Sequence, residues 1–394
     1  MSVSEDRGRT SEGSSRSGGL PSRSRWLAAP VAGLVLAGAA GIGPALAGTR
    51  TPPKLPTVSP TSLVQRVLTS PVRHLSGTVT TNADLGLPDL SSSLAGGASA
   101  GLSIPSFLTG PTSRQIWIGR PGQLRVATPS GTSERDLVVD GASAWLWNSA
   151  TQTATHLLLP ATSRPAGSAT GQAAMAAGMP MPQTVAVPIL SHLAPTTRVS
   201  VVGTAWVAGQ AAYELALAPR AADSLVADVL VAVDAANGLP LEVQVLARNQ
   251  TSPAFSVGFS SVSFALPSSS NFDFVPPRGA TVKTKSLSLA SLRGASPARM
   301  GAVTGSAAPF GSVAGKTSRG VKVLGRGWSA IVVTAPTAIR SPMLRALLRS
   351  SPKLAGGRLV STSLVNVLVL ANGRMLIGAV TPGALAAAAS QLAP

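Results

Sequence analysis

A succession of short apolar runs, each closed by a polar turn, limits what this chain can fold into. HLSGTVTT, RQIWIG, QLRVAT, ERDLVVD, SAWLWN and TATHLLL are joined by RPG, PSGTS, DGA and SATQ. Links this short suit hairpins between antiparallel neighbours. After an interruption come RVSVVGTAWVAG, QAAYELALAP, VADVLVAVDAANGLPLEVQVLAR and AFSVGFSSVSFAL, with Asn237-Gly238 marking a further hairpin. About ten sequential antiparallel strands imply one large curved sheet or open barrel. Aromatics make up only 4% of the chain, so its core has to be aliphatic.

Two stretches break this rhythm, residues 84–111 and 159–195, both rich in small residues yet carrying Leu, Ile, Phe and Met. Loops of that length in a compact domain are functional or disordered. Before the first strand, SPTSLVQRVLTS predicts a short helix with Ser59 as N-cap, Pro60 at the first helical position and Leu63, Val64, Val67 and Leu68 on one face. The last third is patterned differently. VKVLGRGWSAIVVTAP and SLVNVLVLANGRMLIGAV read as strands, and TPGALAAAASQLA as a helix capped by Thr381.

The N-terminus adds a compartment. A polar leader bearing arginines precedes WLAAPVAGLVLAGAAGIGPALAG, which ends in Ala45-Leu46-Ala47, the layout of a secretory signal peptide. An uncleaved membrane anchor is the alternative; either way the rest of the chain lies outside the cytoplasm. The chain has no cysteine, which excludes disulfides, thiolate metal sites and a lipidated N-terminal cysteine. Formal net charge is +18, and fifteen Lys and Arg between Arg278 and Arg374 face no Asp or Glu after Asp273. Export and the lack of basic-aromatic alternation argue against nucleic acid as the counter-surface. Anionic lipid headgroups or envelope polymers fit better. In IRSPMLRALLRSSPK, Arg340, Arg345, Arg349 and Lys353 are expected to face a membrane, with Met343, Leu344, Leu347 and Leu348 as a helical apolar face.

The order of VVGTAWVAGQAAYELALAP, VLVAVDAANGLPLEVQV and VSFALPSSSNFDFVPPRGA resembles the bacterial LolA-like superfamily, which includes lipoprotein carriers and the MucB/RseB sensors. The resemblance covers roughly residues 58–281 and rests on AG-x-x-AY-x-L, D-x-x-x-GLPL and FDF-x-PP-x-GA. It implies an open antiparallel half-barrel covered by helices and loops, binding acyl chains or lipoproteins, with 84–111 and 159–195 as the lid. Gln210 departs from the family pattern, which has Arg there, so no role of that Arg carries over. Trp145 and Trp147 share one face of a strand, and Leu157 and Leu159 share a face nearby. With Trp117, Phe107 and the flexible thioethers Met175, Met179 and Met181, they are the expected lining of an apolar hollow and its lid.

Catalytic signals are weaker. GASAG (97–101) matches G-x-S-x-G but sits in a Ser/Ala/Gly-rich loop, not between a strand and a helix. GSVAGKTS has three residues between its glycines where a phosphate loop needs four. His74, His156 and His192 show no metal-ligand spacing. The expected organisation is a signal peptide or anchor (1–47), a Pro-rich linker (48–57), a LolA-like lipid-binding domain (58–281), a linker (282–314) and a basic α+β module (315–394). The expected role is a non-catalytic exported carrier of lipid or lipoprotein acyl chains, without cofactor or metal. The alternatives are a sensor acting on a membrane protein partner of the anti-sigma type and, with least support, an exported hydrolase.

Overall fold

In the computed structural model the structure describes residues 51–86, 111–158, 180–191, 195–286, 321–336 and 348–392. The expected signal segment, most of the two long loops and residues 287–320 fall outside them.

Helix α1 (Pro60–Leu68) starts where its capping chemistry predicts: Ser59 Oγ accepts from the Ser62 amide at 3.1 Å, and Pro60 opens the first turn. Leu63 and Val67, four residues apart, are buried. Strands β1 (Leu75–Ala83), β2 (Thr112–Ile118), β3 (Gln123–Ser130), β4 (Ser133–Asp140), β5 (Ser143–Asn148) and β6 (Thr153–Leu158) form a meander. After α2 (Pro182–Ser191) come β7 (Thr197–Val207), β8 (Gln210–Pro219), β9 (Val226–Asp234), β10 (Pro240–Ala247) and β11 (Pro253–Ser263), a second meander. Strand β11 pairs with β1, which merges the two into one twelve-stranded sheet of order β12-β6-β5-β4-β3-β2-β1-β11-β10-β9-β8-β7. Its end strands do not pair with each other, so the sheet is an open antiparallel half-barrel and not a closed barrel. This is the fold class read from the sequence.

Two segments differ from their expected role as linkers. Residues 281–286 form β12 (Thr281–Ser286), which runs parallel to β6 and extends the sheet by one strand. The proline-rich residues 51–56 are strapped across β7 and β8: the carbonyls of Thr51, Pro53 and Pro56 accept from Trp206 Nε1, Thr204 Oγ1 and the Tyr213 hydroxyl at 3.1, 2.9 and 2.8 Å. Proline offers no N–H to compete, so such a strap covers an edge strand without extending the sheet.

Both helices lie on one face of the sheet, α1 against β7 and α2 against β10 and β11. Their side chains Leu63, Val67, Ile189 and Leu190 join Leu215, Leu217, Val229, Val231, Val243, Val245 and Val257 in the main core. The β9–β10 turn is shaped for this contact. Gly238 has φ +73°, and a Cβ there would lie 2.6 Å from the Arg66 carbonyl oxygen, so only glycine lets the end of α1 approach.

Strands β13 (Lys322–Leu324), β14 (Ile331–Val333), β15 (Lys353–Leu354), β16 (Gly357–Ser361), β17 (Asn366–Leu370) and β18 (Met375–Gly378) make a second, six-stranded sheet backed by α3 (Pro382–Ser390), whose N-cap is Thr381. It has a core of its own around Leu368, Leu376, Val380 and Leu385. Trp328, Leu364 and Ala379 belong instead to the main core. The Trp328 Nε1–H donates to Thr197 Oγ1 at 2.8 Å, Ser329 Oγ to Asp223 Oδ1 at 2.8 Å, and the Leu225 amide to the Ala379 carbonyl at 2.8 Å. A buried tryptophan with a satisfied indole N–H is the anchor of this junction. Replacing Trp328 by Ala is therefore expected to cost about 3–5 kcal/mol in urea unfolding, the range for truncating a buried aromatic. An unchanged urea midpoint would mean that the two sheets do not depend on this contact.

Candidate functional site

Strand register assigns every side chain to one of two faces, because residues paired across an antiparallel ladder share a face. On the helix-covered face, β2 and β3 contribute Ile116, Ile118, Leu124 and Val126, all buried. The same face continues along β4, β5 and β6 through Leu137 opposite Leu146 and Val139 opposite Ala144, itself opposite Leu157. Burial fades in this direction: Leu137, Val139 and Leu157 are half-buried and Leu146 is 43% exposed. The helices lie over the other half of the sheet, so an apolar row runs out from the core uncovered by α1 and α2. Arg114, on the same face at β2, is buried, and burial lowers its pKa. It is a buried charge on this face that periodicity alone did not single out.

The expected lining residues divide. Leu157 is in the row. Met181 is fully buried at the start of α2, where its carbonyl accepts from the Val185 amide; it is a core residue and not part of an adaptable cover. Phe107, Leu159, Met175 and Met179 lie outside the described residues, as do Arg340 and Arg345, while Arg349 and Lys353 are exposed. Trp117, Trp145 and Trp147 need correcting, because they sit on the opposite, outer face. Trp117 pairs with Arg125, Asp136 with Trp147 and Val138 with Trp145. That the two tryptophans share a face was legible; which face was not. The phase of β4 held the answer, since Asp136 and Asp140 alternate with Leu137 and Val139.

The outer face is built around this ladder. Arg125 Nη2 binds Asp136 Oδ2 at 2.6 Å and lies 5.3 Å from the centre of the Trp117 ring. The Trp145 ring stacks on His156 with centroids 4.2 Å apart and planes 3° from parallel, and Phe274 leans over both Trp145 and Trp147 at 5.4 and 6.2 Å. Phe272 and Phe274 come from the FDF motif. Its role here is to cover the outer face of β4 and β5.

On this chain residues 102–283 match the family model described as "Predicted periplasmic protein (DUF2092)", a span that takes in β2 to the start of β12. No curated protein matches it in sequence. Similar solved structures include the Pseudomonas aeruginosa MucA/MucB complex, at 14% identity and TM-score 0.39, covering 84% of this chain and 96% of that one. Another is a LolA superfamily protein from Nitrosomonas europaea, at 10% identity and TM-score 0.21, covering 55% and 99%.

Farther along the outer face two carboxylates lie flat on the sheet. A Cβ at Gly203 would meet Glu214 Oε2 at 2.9 Å and one at Gly258 would meet Glu242 Cγ at 2.9 Å, so each glycine leaves a notch that its neighbour's acid fills. Both pKa values are raised. For Glu242 burial is the main cause, the hydrogen bond from Gln244 Nε2 (2.8 Å) opposes it, and the Glu214 charge adds to it. A carboxyl with a raised folded pKa holds its proton more tightly folded than unfolded, so stability falls as pH rises from the unfolded value near 4.3 through the folded one. Glu242→Gln removes that loss. It is expected to raise stability at pH 7 by about 1 kcal/mol, or roughly 2–4 °C in Tm, with the gain vanishing below about pH 4. A Tm difference that does not change with pH would contradict this assignment.

Proposed function

We propose that the protein is an exported envelope protein that holds an acyl chain of a lipid or lipoprotein against the part of the helix-covered face that α1 and α2 leave free, without acting on it chemically. The observation that carries this is the row Leu137, Val139, Leu146 and Leu157, which continues the closed core into a half-exposed apolar strip. Covering such a strip recovers part of the roughly 1.5–3 kcal/mol that full burial of each large aliphatic side chain provides. A C16 chain half buried at about 0.8 kcal/mol per CH₂ supplies about 6 kcal/mol more before ordering costs, which with headgroup contacts reaches the micromolar range. The match to a family described as periplasmic supports the envelope as compartment.

A regulatory role, in which occupancy alters contact with a membrane protein, shares this site. It is favoured by the Trp328–Thr197 junction, which ties the second sheet to the core that a ligand would abut. A hydrolase has less support. Ser143 Oγ lies 2.8 Å from His156 Nε2, but the imidazole is stacked on Trp145, and no carboxylate bonds its other nitrogen among the described residues.

Displacement of a fluorescent fatty acid tests the site. Leu146→Asp is expected to weaken binding by about tenfold or more, since it sets a charge against a buried alkyl chain. Trp145→Ala should leave the affinity unchanged. The reverse pattern would move the chain to the outer face, and no saturable binding by the unaltered protein would remove the carrier reading.

The basic last third supplies a second contact in this proposal, an anionic membrane surface. Arg349 and Lys353 are exposed and no acid follows Asp273 in the sequence. At about 1 kcal/mol per cation near such a surface, Arg349→Gln with Lys353→Gln is expected to weaken partitioning of residues 48–394 to phosphatidylglycerol vesicles about thirtyfold. Binding should also fall between about 0.05 and 0.5 M salt. Equal binding to neutral vesicles would reject membrane docking by charge.

A further inference from the structure

The outer face carries a cleft that the acyl-chain proposal does not use. It has a volume of about 160 Å³ and is walled by Trp145, Phe272 and Phe274, with the carboxylates of Asp140 and Asp273 and the hydroxyl of Ser143 beside them. We infer that this cleft is a docking site for a basic side chain of a peptide partner, an arginine or lysine whose cation sits between the aromatic walls and the two aspartates.

Size comes first. A cavity of about 150 Å³ holds one benzene ring, and drug-sized ligands need about 300 Å³ or more, so this cleft suits a single side-chain end. Chemistry comes next. Aromatic faces carry negative charge density that attracts cations, and Trp is the strongest of them. Trp145 is held in place by its parallel stack on His156, so its orientation is set before anything binds. Both aspartates are exposed at the rim; Gln123 Nε2 reaches Asp140 Oδ1 at 3.3 Å, and no described basic side chain forms an ion pair with either. Two negative charges on aromatic walls complement a cation and repel an anion.

The surroundings argue for a peptide and not for an isolated cation. Leu158, opposite Ser143, is 42% exposed; Val282, opposite Ala154 on β12, is 51% exposed; Val275, next to Phe274, is 80% exposed. The first two share the outer face with Trp145, and the third adjoins the cleft's wall. Three large aliphatic side chains left in water beside one acidic aromatic notch match a segment in which apolar residues flank one basic residue. The site is on the face opposite the apolar row, so the two proposals fail separately.

Titration calorimetry of the full chain with acetyl-Leu-Arg-Leu-amide, acetyl-Leu-Gln-Leu-amide and phosphocholine tests the inference. Saturable binding of the arginine peptide is expected, weakened about tenfold or more by Asp140→Asn with Asp273→Asn, two exposed, isosteric changes that spare the fold. Phe274→Ala is expected to weaken it too. The glutamine peptide should show no saturable heat. Equal binding of the glutamine peptide, unaltered affinity in the double Asn variant, or no saturation by about 10 mM arginine peptide would overturn the proposal. Tighter binding of phosphocholine would replace the peptide by a lipid headgroup. Fatty-acid displacement is expected to be unchanged in the double Asn variant; a parallel loss would refute a separate site.

Discussion

The pairing of β1 with β11 is the constraint on which the rest of the structure depends. It joins residues about 180 positions apart, from Ser76 opposite Ser263 to Ala83 opposite Phe255. Without it the chain would have two smaller meanders, each with an exposed edge and half a core. Such long-range pairing meets a large loop-closure cost before any contact repays it, so both strands need strong local reasons to meet. One is steric: a Cβ at Gly77 would collide with the Ser261 carbonyl oxygen, so glycine permits close approach there. The other is the face pattern, in which Val79 opposite Phe259 and Thr81 opposite Val257 continue one apolar surface across the seam.

Once the seam is closed, the two faces acquire different duties. The helix-covered face is aliphatic and dry where α1 and α2 lie, and half-dry along β4 to β6. The outer face is more polar, and its groups are organised: Arg125 with Asp136, Glu242 with Gln244, and the rings of Trp145 and Trp147 against Phe274. Buried or half-buried charges are costly unless paired or hydrogen-bonded, and Glu214 and Glu242 show the consequence in their raised pKa values. Stability on that face is given up locally at the acid pair. The aromatic cluster of Trp145, Trp147, His156 and Phe274 occupies the other half of the same face.

How much of this was legible depended on whether the signal was local. The strands, the caps at Ser59 and Thr381 and the turn at Asn237-Gly238 follow from side chains within a few residues of each other, and all stand in the structure. The face of Trp145 and Trp147 did not, because alternation gives a relative phase and the absolute phase comes from what packs on the sheet. Here it is Phe274 that packs over the tryptophans, from more than 120 residues away. Strand β12 was hidden for a related reason. TVKTKS lacks the apolar alternation of a half-buried strand and is exposed throughout, although it pairs with β6 along its whole length. Met181 read as adaptable cover since flexibility of the side chain says nothing about whether its surroundings are closed.

The distribution of charge follows from how the second sheet is attached. A domain with many cations and no acid would ordinarily be expected to dock by ion pairs onto its acidic neighbour. The junction found here is made from an indole, aliphatic side chains, backbone amides and one carboxylate, Asp223, which accepts a hydroxyl and not a cation. Such contacts are insensitive to salt, whereas attraction between exposed cations and an anionic surface decays over a Debye length of about 8 Å at physiological ionic strength. Raised salt is therefore expected to leave the last third attached to the first sheet. Among the described residues no cation of the last third forms an ion pair at this junction, so the contact that makes the two sheets one body rests on apolar burial and neutral hydrogen bonds.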